Sequence, residues 1–275
     1  MNPLTITGLR KRFDEFELRA DIALPRGHVT GLVGANGSGK TTLIKCALGA
    51  VIPDSGEIEL IDKTKVGVVH DTPPYAPTWT VAATGRIVGA FFPTWDQAAF
   101  DAHCRRWELP ATTKVGRLSR GMGMRLQMAI ALAHDPELLI LDEPTSGLDP
   151  LARDELVDDL RELMLDERRT ILFSTHITSD LEKIADFVTV LDAGRVLEAG
   201  TLDALRDRYR IVRGGDEPPA GVRGVRRTAV GWDGLAERAL AESLPGAVVD
   251  APTLEDVVIR LAKDGRTTRK EHTHA

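Results

Sequence analysis

The stretch "GANGSGKTT", residues 34–42, decides the fold of this 275-residue chain. It fits the phosphate-loop pattern G-x-x-x-x-G-K-[ST] and stands between the strand-like "HVTGLV" and the helical "KTTLIKCALGA". In such a loop, glycines let successive backbone N–H groups turn towards a phosphate, Lys40 neutralises its charge, and Thr41 offers a hydroxyl to Mg²⁺. A glycine-rich turn that matches by chance is the alternative, and the strand–loop–helix setting disfavours it. The predicted phosphate-binding residues are Gly34, Ala35, Asn36, Gly37, Ser38, Gly39, Lys40, Thr41 and Thr42.

Two adjacent carboxylates, Asp142 and Glu143, follow the apolar run "LLIL". Like charges side by side at the edge of a core are unfavourable unless something there uses them. We expect Asp142 to hold Mg²⁺ through its water shell, and Glu143 to orient or deprotonate a water for attack on a γ-phosphate. A helix N-cap after the strand is the alternative, and Pro144 together with the pair of acids fits it less well.

The order of strand-like and helix-like segments predicts an α/β fold. "LTITGL" and "FELRADIAL" precede the phosphate loop and predict an N-terminal antiparallel β region. "ELLILDEP", "RTILFST" and "FVTVLDA" are apolar throughout and alternate with helical stretches, which predicts a mainly parallel sheet covered on both faces. A helical subdomain is expected at about residues 81–135. The sequence thus predicts a nucleotide-binding domain over residues 1–210, followed over 211–275 by a small α/β appendage with a polar tail, joined near the linker-like "GGDEPPAG".

Composition excludes several classes of protein. With 43% hydrophobic and 28% charged residues and a formal net charge of −6, the chain is not a uniformly basic nucleic-acid binder. Cys46 and Cys104 are isolated from each other, so we expect reduced core thiols rather than a disulfide framework. No apolar run approaches the roughly 20 residues that cross a bilayer, and the N-terminus does not resemble a signal peptide. We therefore expect a cytoplasmic protein.

Further motifs identify a family. "LSRGM" begins at Leu118, "SGLD" follows the acid pair, and the lone His176 lies in "FSTHITSDLEKIADFVTVLDAGRV". Together with the phosphate loop and "LILDEP", these motifs resemble, in order and spacing over about residues 1–210, the ATP-binding subunit of a bacterial, exporter-like ABC transporter. The resemblance implies binding of ATP and Mg²⁺, ATP hydrolysis coupled to transport, and an integral-membrane permease as partner. It also implies a place at the inner face of the cell membrane through that permease, and no nucleic-acid partner.

The resemblance assigns "LSRGM" to a site shared between subunits. Ser119, Arg120, Gly121 and Met122 would face the γ-phosphate of ATP held on another subunit, so that two chains enclose two nucleotides as a homodimer or as a heterodimer with a related ATPase subunit. The family usually has a glycine at the position of Arg120. This departure leaves the detailed geometry of the loop open.

Four other positions follow from the same resemblance. His176 would contact the γ-phosphate and hold the attacking water, and Asp149 would connect the two sites across the interface. Phe13 would stack on adenine, with an ordinary strand-edge phenylalanine as the alternative. Asp71 stands where the family usually has a glutamine. Its carboxylate would either meet Mg²⁺, directly or through water, or cap the following turn.

Two other classes of protein fit the sequence less well than a transporter subunit. A soluble ABC ATPase that acts on nucleic acid or ribosomes usually has two ATPase domains or a long coiled-coil insertion, and the sequence shows neither. A non-enzymatic regulatory subunit would have degraded catalytic residues, whereas Lys40, Asp142, Glu143 and His176 are all present. The closing "PTLEDVVIRLAKDG" resembles the C-terminal extension of exporter-type subunits, which favours export.

Overall fold

Two β-sheets with helices packed on them make up the part of the chain that the computed structural model describes, residues 1–215 and 217–273, with side chains through residue 265. The larger sheet has nine strands in the order β4-β1-β2-β9-β8-β3-β7-β6-β5. They are β1 (Leu4–Arg12), β2 (Glu17–Leu24), β3 (Val29–Val33), β4 (Ser55–Leu60), β5 (Val66–Val69), β6 (Leu138–Asp142), β7 (Thr170–Thr175), β8 (Phe187–Asp192) and β9 (Arg195–Thr201).

The strand directions match the sequence prediction. Strands β8, β3, β7, β6 and β5 run parallel to one another, β9 is antiparallel to β8, and β1, β2 and β4 form an antiparallel group. Every residue of β3, β6 and β7 is buried, as expected for parallel strands covered on both faces. The α/β fold with a mainly parallel sheet and an N-terminal antiparallel region is therefore confirmed.

Alternate residues of the central strands enter two separate cores. Leu32, Ile140 and Leu172 pack on one face with α1 (Lys40–Ala47), and the antiparallel strands complete that core. Val33, Leu141 and Phe173 face the opposite core, which is covered by α4 (Arg120–Leu132), α5 (Pro150–Leu163) and α6 (Thr178–Ile184). This alternation is the period of two of an extended chain. The sheet therefore lies between the two cores. Because β3, β6 and β7 are parallel, their carboxyl ends lie along one edge.

Three helices occupy the stretch predicted to be helical: α2 (Val81–Gly89), α3 (Gln97–Arg106) and α4 (Arg120–Leu132). Each begins at a side chain that caps it, because the oxygens of Thr80, Asp96 and Ser119 accept hydrogen bonds from backbone N–H groups of the first turn. Helix α4 then passes beneath β5, where Gln127 exchanges two hydrogen bonds of 2.9 Å with the backbone of His70. The start of α4 is thereby held near the residues that follow β5.

A second sheet of order β11-β12-β10-β13 follows α7 (Leu202–Arg208). Its elements are β10 (Tyr209–Gly214), β11 (Arg223–Thr228), β12 (Gly231–Glu237), α8 (Arg238–Ser243), β13 (Val248–Asp250) and α9 (Leu254–Thr273). "GGDEPPAG" therefore connects two strands of one sheet and is not the junction expected from its composition. The sheet begins at Tyr209, two residues before the predicted start of the appendage at residue 211. The last two residues of the predicted polar tail lie outside the described residues.

Helix α9 ties the second sheet to the larger one. The buried Arg260 donates a hydrogen bond of 2.7 Å to the carbonyl of Gly224 and pairs with Asp233 on β12. At its first turn, the backbone N–H of Leu254 donates to Glu182 Oε1 of α6 at 2.8 Å. Burial raises the pKa of Asp233, but the hydrogen bonds and charges of Arg226 and Arg260 outweigh burial and bring that pKa below its ordinary value. The C-terminal helix thus packs on both parts of the chain.

Candidate nucleotide site

The phosphate loop joins β3 to α1 through residues 34–39, and its glycines are required by geometry. A Cβ at Gly34 would lie 2.1 Å from the carbonyl oxygen of Leu191, which no side chain tolerates. Gly39, the residue before α1, has φ of +111°, a value that L residues rarely adopt. Within the described residues, the buried hydroxyl of Ser38 has no hydrogen-bond partner. A buried unpaired hydroxyl costs free energy unless a ligand uses it, and a phosphate oxygen suits it.

Lys40 is the first residue of α1, and its side chain is 5% exposed. Its ammonium group donates hydrogen bonds to the carbonyls of Gly34 at 2.7 Å and Ala35 at 3.3 Å, and it lies 3.0 Å from Glu143 Oε1. A buried ammonium needs such partners because burial disfavours its charge. The contacts keep the positive charge inside the loop, beside the backbone N–H groups at the start of α1.

The two acids that end β6 have different surroundings. Asp142 is buried, and its Oδ1 accepts a hydrogen bond of 3.0 Å from Ser174 Oγ on β7. Glu143 has φ of +53°, which costs a non-glycine residue on the order of 1–3 kcal/mol and persists only where surrounding contacts enforce it. Its backbone N–H donates to the Ser174 carbonyl at 2.9 Å. This turn sends the side chain of Glu143 towards Lys40.

His176 follows β7 and completes a chain of three charged or polar groups. Its Nδ1 lies 2.7 Å from Glu143 Oε2, while Lys40 faces the other oxygen of the same carboxylate. Because an ionised carboxylate only accepts hydrogen bonds, Nδ1 carries the proton in this contact. Glu143 therefore lies between the lysine of the phosphate loop and the histidine predicted to hold the attacking water.

These groups surround a cavity of about 480 Å³. It is lined by Phe16, Asn36, Gly37, Gly39, Lys40, Thr41, Thr42, Asp71, Arg120, Glu143, Ser146 and His176. Sequence reasoning did not anticipate Phe16 or Ser146. Phe13 does not line this cavity: it is 44% exposed, and its ring centre lies 6.2 Å from that of Phe16. The ammonium group of Lys11 lies 5.8 Å from the centre of the Phe13 ring, and Phe16 packs against Gly39.

A second cavity of about 480 Å³, here called the signature cavity, lies at the start of α4 and is lined by the signature residues Ser119, Arg120, Gly121 and Met122. Ser119 Oγ accepts a hydrogen bond from the Met122 N–H at 3.2 Å. Asp149 also lines this cavity, and its carboxylate caps α5 by accepting 3.0 Å hydrogen bonds from the backbone of Leu151 and Ala152. The structure thus separates four predicted residues from the phosphate loop of their own chain: Ser119, Gly121, Met122 and Asp149.

Asp71 and Arg120 contact each other. Arg120 Nη2 lies 2.5 Å from Asp71 Oδ1, and Arg120 Nε also donates to the Ser146 carbonyl. Neither proposed role of Asp71, metal contact or turn cap, anticipated an ion pair with the signature arginine. Thr41, Asp71 and Asp142 offer hydroxyl and carboxylate oxygens, the hard donors that Mg²⁺ prefers, so the residues present fit this ion.

The fold and this geometry together define a class of protein. A phosphate loop between a strand and a helix faces an acid pair at the same edge of a parallel sheet. These are the parts of a P-loop nucleotide hydrolase.

Comparison with known proteins identifies the family. Residues 19–146 match the ABC transporter family. The Nod factor export ATP-binding protein I of Bradyrhizobium diazoefficiens is 35% identical over 224 residues, which cover 75% of this chain and 72% of that protein. The bacitracin transport ATP-binding protein BcrA of Bacillus licheniformis is 35% identical over 202 residues, 69% of this chain and 66% of that one. The solved structure of an ATP-binding subunit of an ABC transporter superposes with a TM-score of 0.65 at 27% identity, covering 74% of this chain and 91% of that chain.

The chain belongs to the ATP-binding subunits of ABC transporters. It binds ATP, and it is an ATPase. The relatives favour a transporter subunit over the soluble ATPase acting on nucleic acid or ribosomes. Through residues 1–215 and 217–273, no helix is both long enough and apolar enough to span a membrane.

Proposed function

We propose that two copies of this chain close around two Mg-ATP molecules and use their hydrolysis to drive an export permease in the cell membrane. The observation that carries this proposal is the division of the predicted site between two cavities of one chain. Lys40 and Glu143 line the first, and Ser119 with the start of α4 lines the second. A helix N-terminus attracts anions, so the second cavity suits a phosphate that the same chain does not hold.

The first cavity would bind the triphosphate and its metal. Lys40 and the unpaired hydroxyl of Ser38 would contact phosphate oxygens, and Thr41, Asp142 and Asp71 would hold Mg²⁺. The metal would neutralise charge on the phosphates when bound. Phe13 is the candidate for stacking on adenine, because it is 44% exposed and its ring centre lies 6.2 Å from that of Phe16, which lines this cavity.

Glu143 would take the proton of the attacking water. Its carboxylate is held on one side by Lys40 and on the other by His176, so a small movement of either partner would turn an oxygen towards a water at the γ-phosphate. As that water attacks phosphorus, its proton passes to Glu143, and the bond to the ADP oxygen breaks. His176 would hold both Glu143 and the water in line.

The permease partner and export are supported by the relatives, whose names describe Nod factor export and bacitracin transport. A place at the cytoplasmic face of the membrane follows from that partner. We also propose two domains, with residues 1–210 as the ATPase and 211–275 as the accessory part. The second sheet begins at Tyr209, two residues before residue 211, which supports a division close to this position.

Lys40→Ala is expected to weaken ATP binding by roughly 10- to 100-fold, because it removes a charge-assisted contact to the phosphates. Fluorescence titration with an ATP analogue measures this affinity. Lys45→Ala is the matched control, since Lys45 lies exposed in the last turn of the same helix and should bind ATP like the parent. Equal affinity in the two variants would refute the role of Lys40.

We expect the permease to contact the exposed apolar side chains at the end of α2. Ile87 of α2 and the following Phe91 are exposed, and Phe91 is 78% accessible, which suits an apolar contact with a partner. Phe91→Glu should release the chain from the permease during purification from detergent-solubilised membranes, by at least about tenfold, while ATP affinity stays unchanged. Leu165→Glu is the matched control, because Leu165 is 82% exposed just beyond α5. Equal recovery of the membrane protein with both variants would rule out this surface.

A further inference from the structure

Arg120 lies between the two cavities. Of the residues that the structure describes, it is the one that lines both the phosphate-loop cavity and the signature cavity. Its side chain is 45% exposed, so it has room to move. A guanidinium that borders two sites for phosphates can serve only one of them at a time.

Two contacts hold Arg120 in the phosphate-loop cavity. Nη2 pairs with Asp71 at 2.5 Å, and Nε donates to the carbonyl of Ser146. A Cβ at Gly147, whose φ is +70°, would lie 2.8 Å from Arg120 Cδ, so the glycine leaves space for the arginine over the turn. Since the Asp71 and Arg120 side chains are both about half exposed, water screens their attraction and a charged ligand can replace it.

These two residues are also the two departures from the family pattern noted in the sequence. A glycine in place of Arg120 and a glutamine in place of Asp71 would have no charges to pair. The structure brings both departures together although they are 49 positions apart in the chain. The pair therefore adds a contact between the start of α4 and the loop after β5.

Mg-ATP carries charges that compete for both partners. The dication attracts Asp71, whose carboxylate lines the same cavity as Thr41, and the phosphates of ATP carried by a second copy attract Arg120 towards the signature cavity. When Asp71 turns to the metal, Arg120 loses its carboxylate partner and remains beside the signature cavity. Binding of Mg-ATP in the phosphate-loop cavity thus changes whether the charge of Arg120 is available in the signature cavity.

We propose that Asp71 and Arg120 form a latch that Mg-ATP opens. While the latch is closed, Asp71 keeps the guanidinium in the chain's own cavity. When Mg-ATP binds there, Asp71 joins the metal's ligands and Arg120 turns into the signature cavity, where it binds the phosphates of ATP carried by a second copy. This step rests on the proposed pairing of two copies. A copy therefore offers its arginine only after its own site is loaded.

The first test measures the latch within single copies. Mg²⁺ is titrated into dilute Glu143→Gln protein saturated with a fluorescent ATP analogue. Adding Arg120→Ala should lower the Mg²⁺ concentration at half-saturation about two- to fivefold, because Asp71 loses a competing partner. In an Asp71→Ala background, Arg120→Ala should have no effect on that value. Arg125→Ala is the control, since Arg125 lies on the same helix as Arg120 and pairs with Glu155 of α5 at 2.6 Å. An unchanged or higher Mg²⁺ requirement with Arg120→Ala overturns the latch.

The second test follows the arginine to the other copy. At saturating ATP with a chelator in place of Mg²⁺, the Glu143→Gln protein should associate poorly because Asp71 still holds Arg120. Adding Asp71→Ala should strengthen association at least about tenfold, and adding Arg120→Ala to that double variant should abolish the gain. A gain that persists without Arg120, or no gain, overturns the transfer of the arginine. If Glu143→Gln copies fail to associate even with Mg-ATP, the proposed pairing and this transfer both fail, while the Mg²⁺ titration still decides the latch.

Discussion

Glu143→Gln is expected to leave ATP affinity within about threefold of the parent and to lower the rate of hydrolysis by roughly 10²–10⁴-fold. An amide cannot accept the proton of the attacking water, so the variant loses the base but keeps the shape of the site. Lys40 loses its carboxylate partner at 3.0 Å but keeps its hydrogen bonds to Gly34 and Ala35, so its charge stays in the loop and binding should not suffer. Phosphate release under saturating Mg-ATP, together with a separate binding titration, measures the two effects.

Glu137→Gln is the matched control for that loss. Glu137 immediately precedes the same strand, β6, at its opposite end, and its carboxylate pairs with Arg26 and Lys65 far from the loop. Turnover in this control should stay close to that of the parent. If Glu143→Gln retains turnover within about threefold of the parent, Glu143 is not the base.

Ser119→Asp in a Glu143→Gln background is expected to weaken ATP-driven association by at least about 100-fold, because a carboxylate in the signature cavity repels the phosphates of the other copy. Asp caps helices as well as Ser, so the hydrogen bond from the Met122 N–H is kept and α4 still begins at Arg120. ATP binding at the chain's own phosphate loop should be unchanged, since Ser119 does not line that cavity.

Ser119→Asn isolates the effect of charge. It has the size and the capping ability of Asp without the negative charge, so association should stay near that of Glu143→Gln alone. Light scattering measures association, and a separate titration measures ATP affinity in the dissociated chains. Equal association of the Asp and Asn variants would mean that no phosphate approaches Ser119.

The sequence predicted most of the phosphate-loop cavity because its parts are local. The loop of residues 34–39 depends on glycines at fixed offsets, and the acid pair follows a strand that is apolar throughout. Carboxyl ends of parallel strands meet at one edge of a sheet, so Lys40, Glu143 and His176 converge without any further information. Their predicted roles in catalysis remain predictions that the variants above test.

Long-range contacts were beyond the reach of the sequence. Nothing in the local pattern indicates that Arg120 reaches Asp71 or that Phe16 rather than Phe13 lines the cavity. The composition of "GGDEPPAG" is typical of both linkers and hairpin connections, because Gly and Pro interrupt helices and strands in either setting. The position of β10 before it decides that it connects two strands.

A mixture of two disabled proteins tests the shared site most directly. One is Glu143→Gln with Lys40→Ala and Asp71→Ala, which binds its own ATP poorly but keeps its signature residues, with Arg120 released from its partner Asp71. The other is Glu143→Gln with Ser119→Asp, which binds ATP but cannot accept a partner's phosphates. At an ATP concentration that saturates only the second protein, light scattering should show each alone as separate chains and the mixture as dimers with one ATP each, because one complete site forms between them. A mixture that stays as dissociated as its components would contradict a nucleotide site built from two copies.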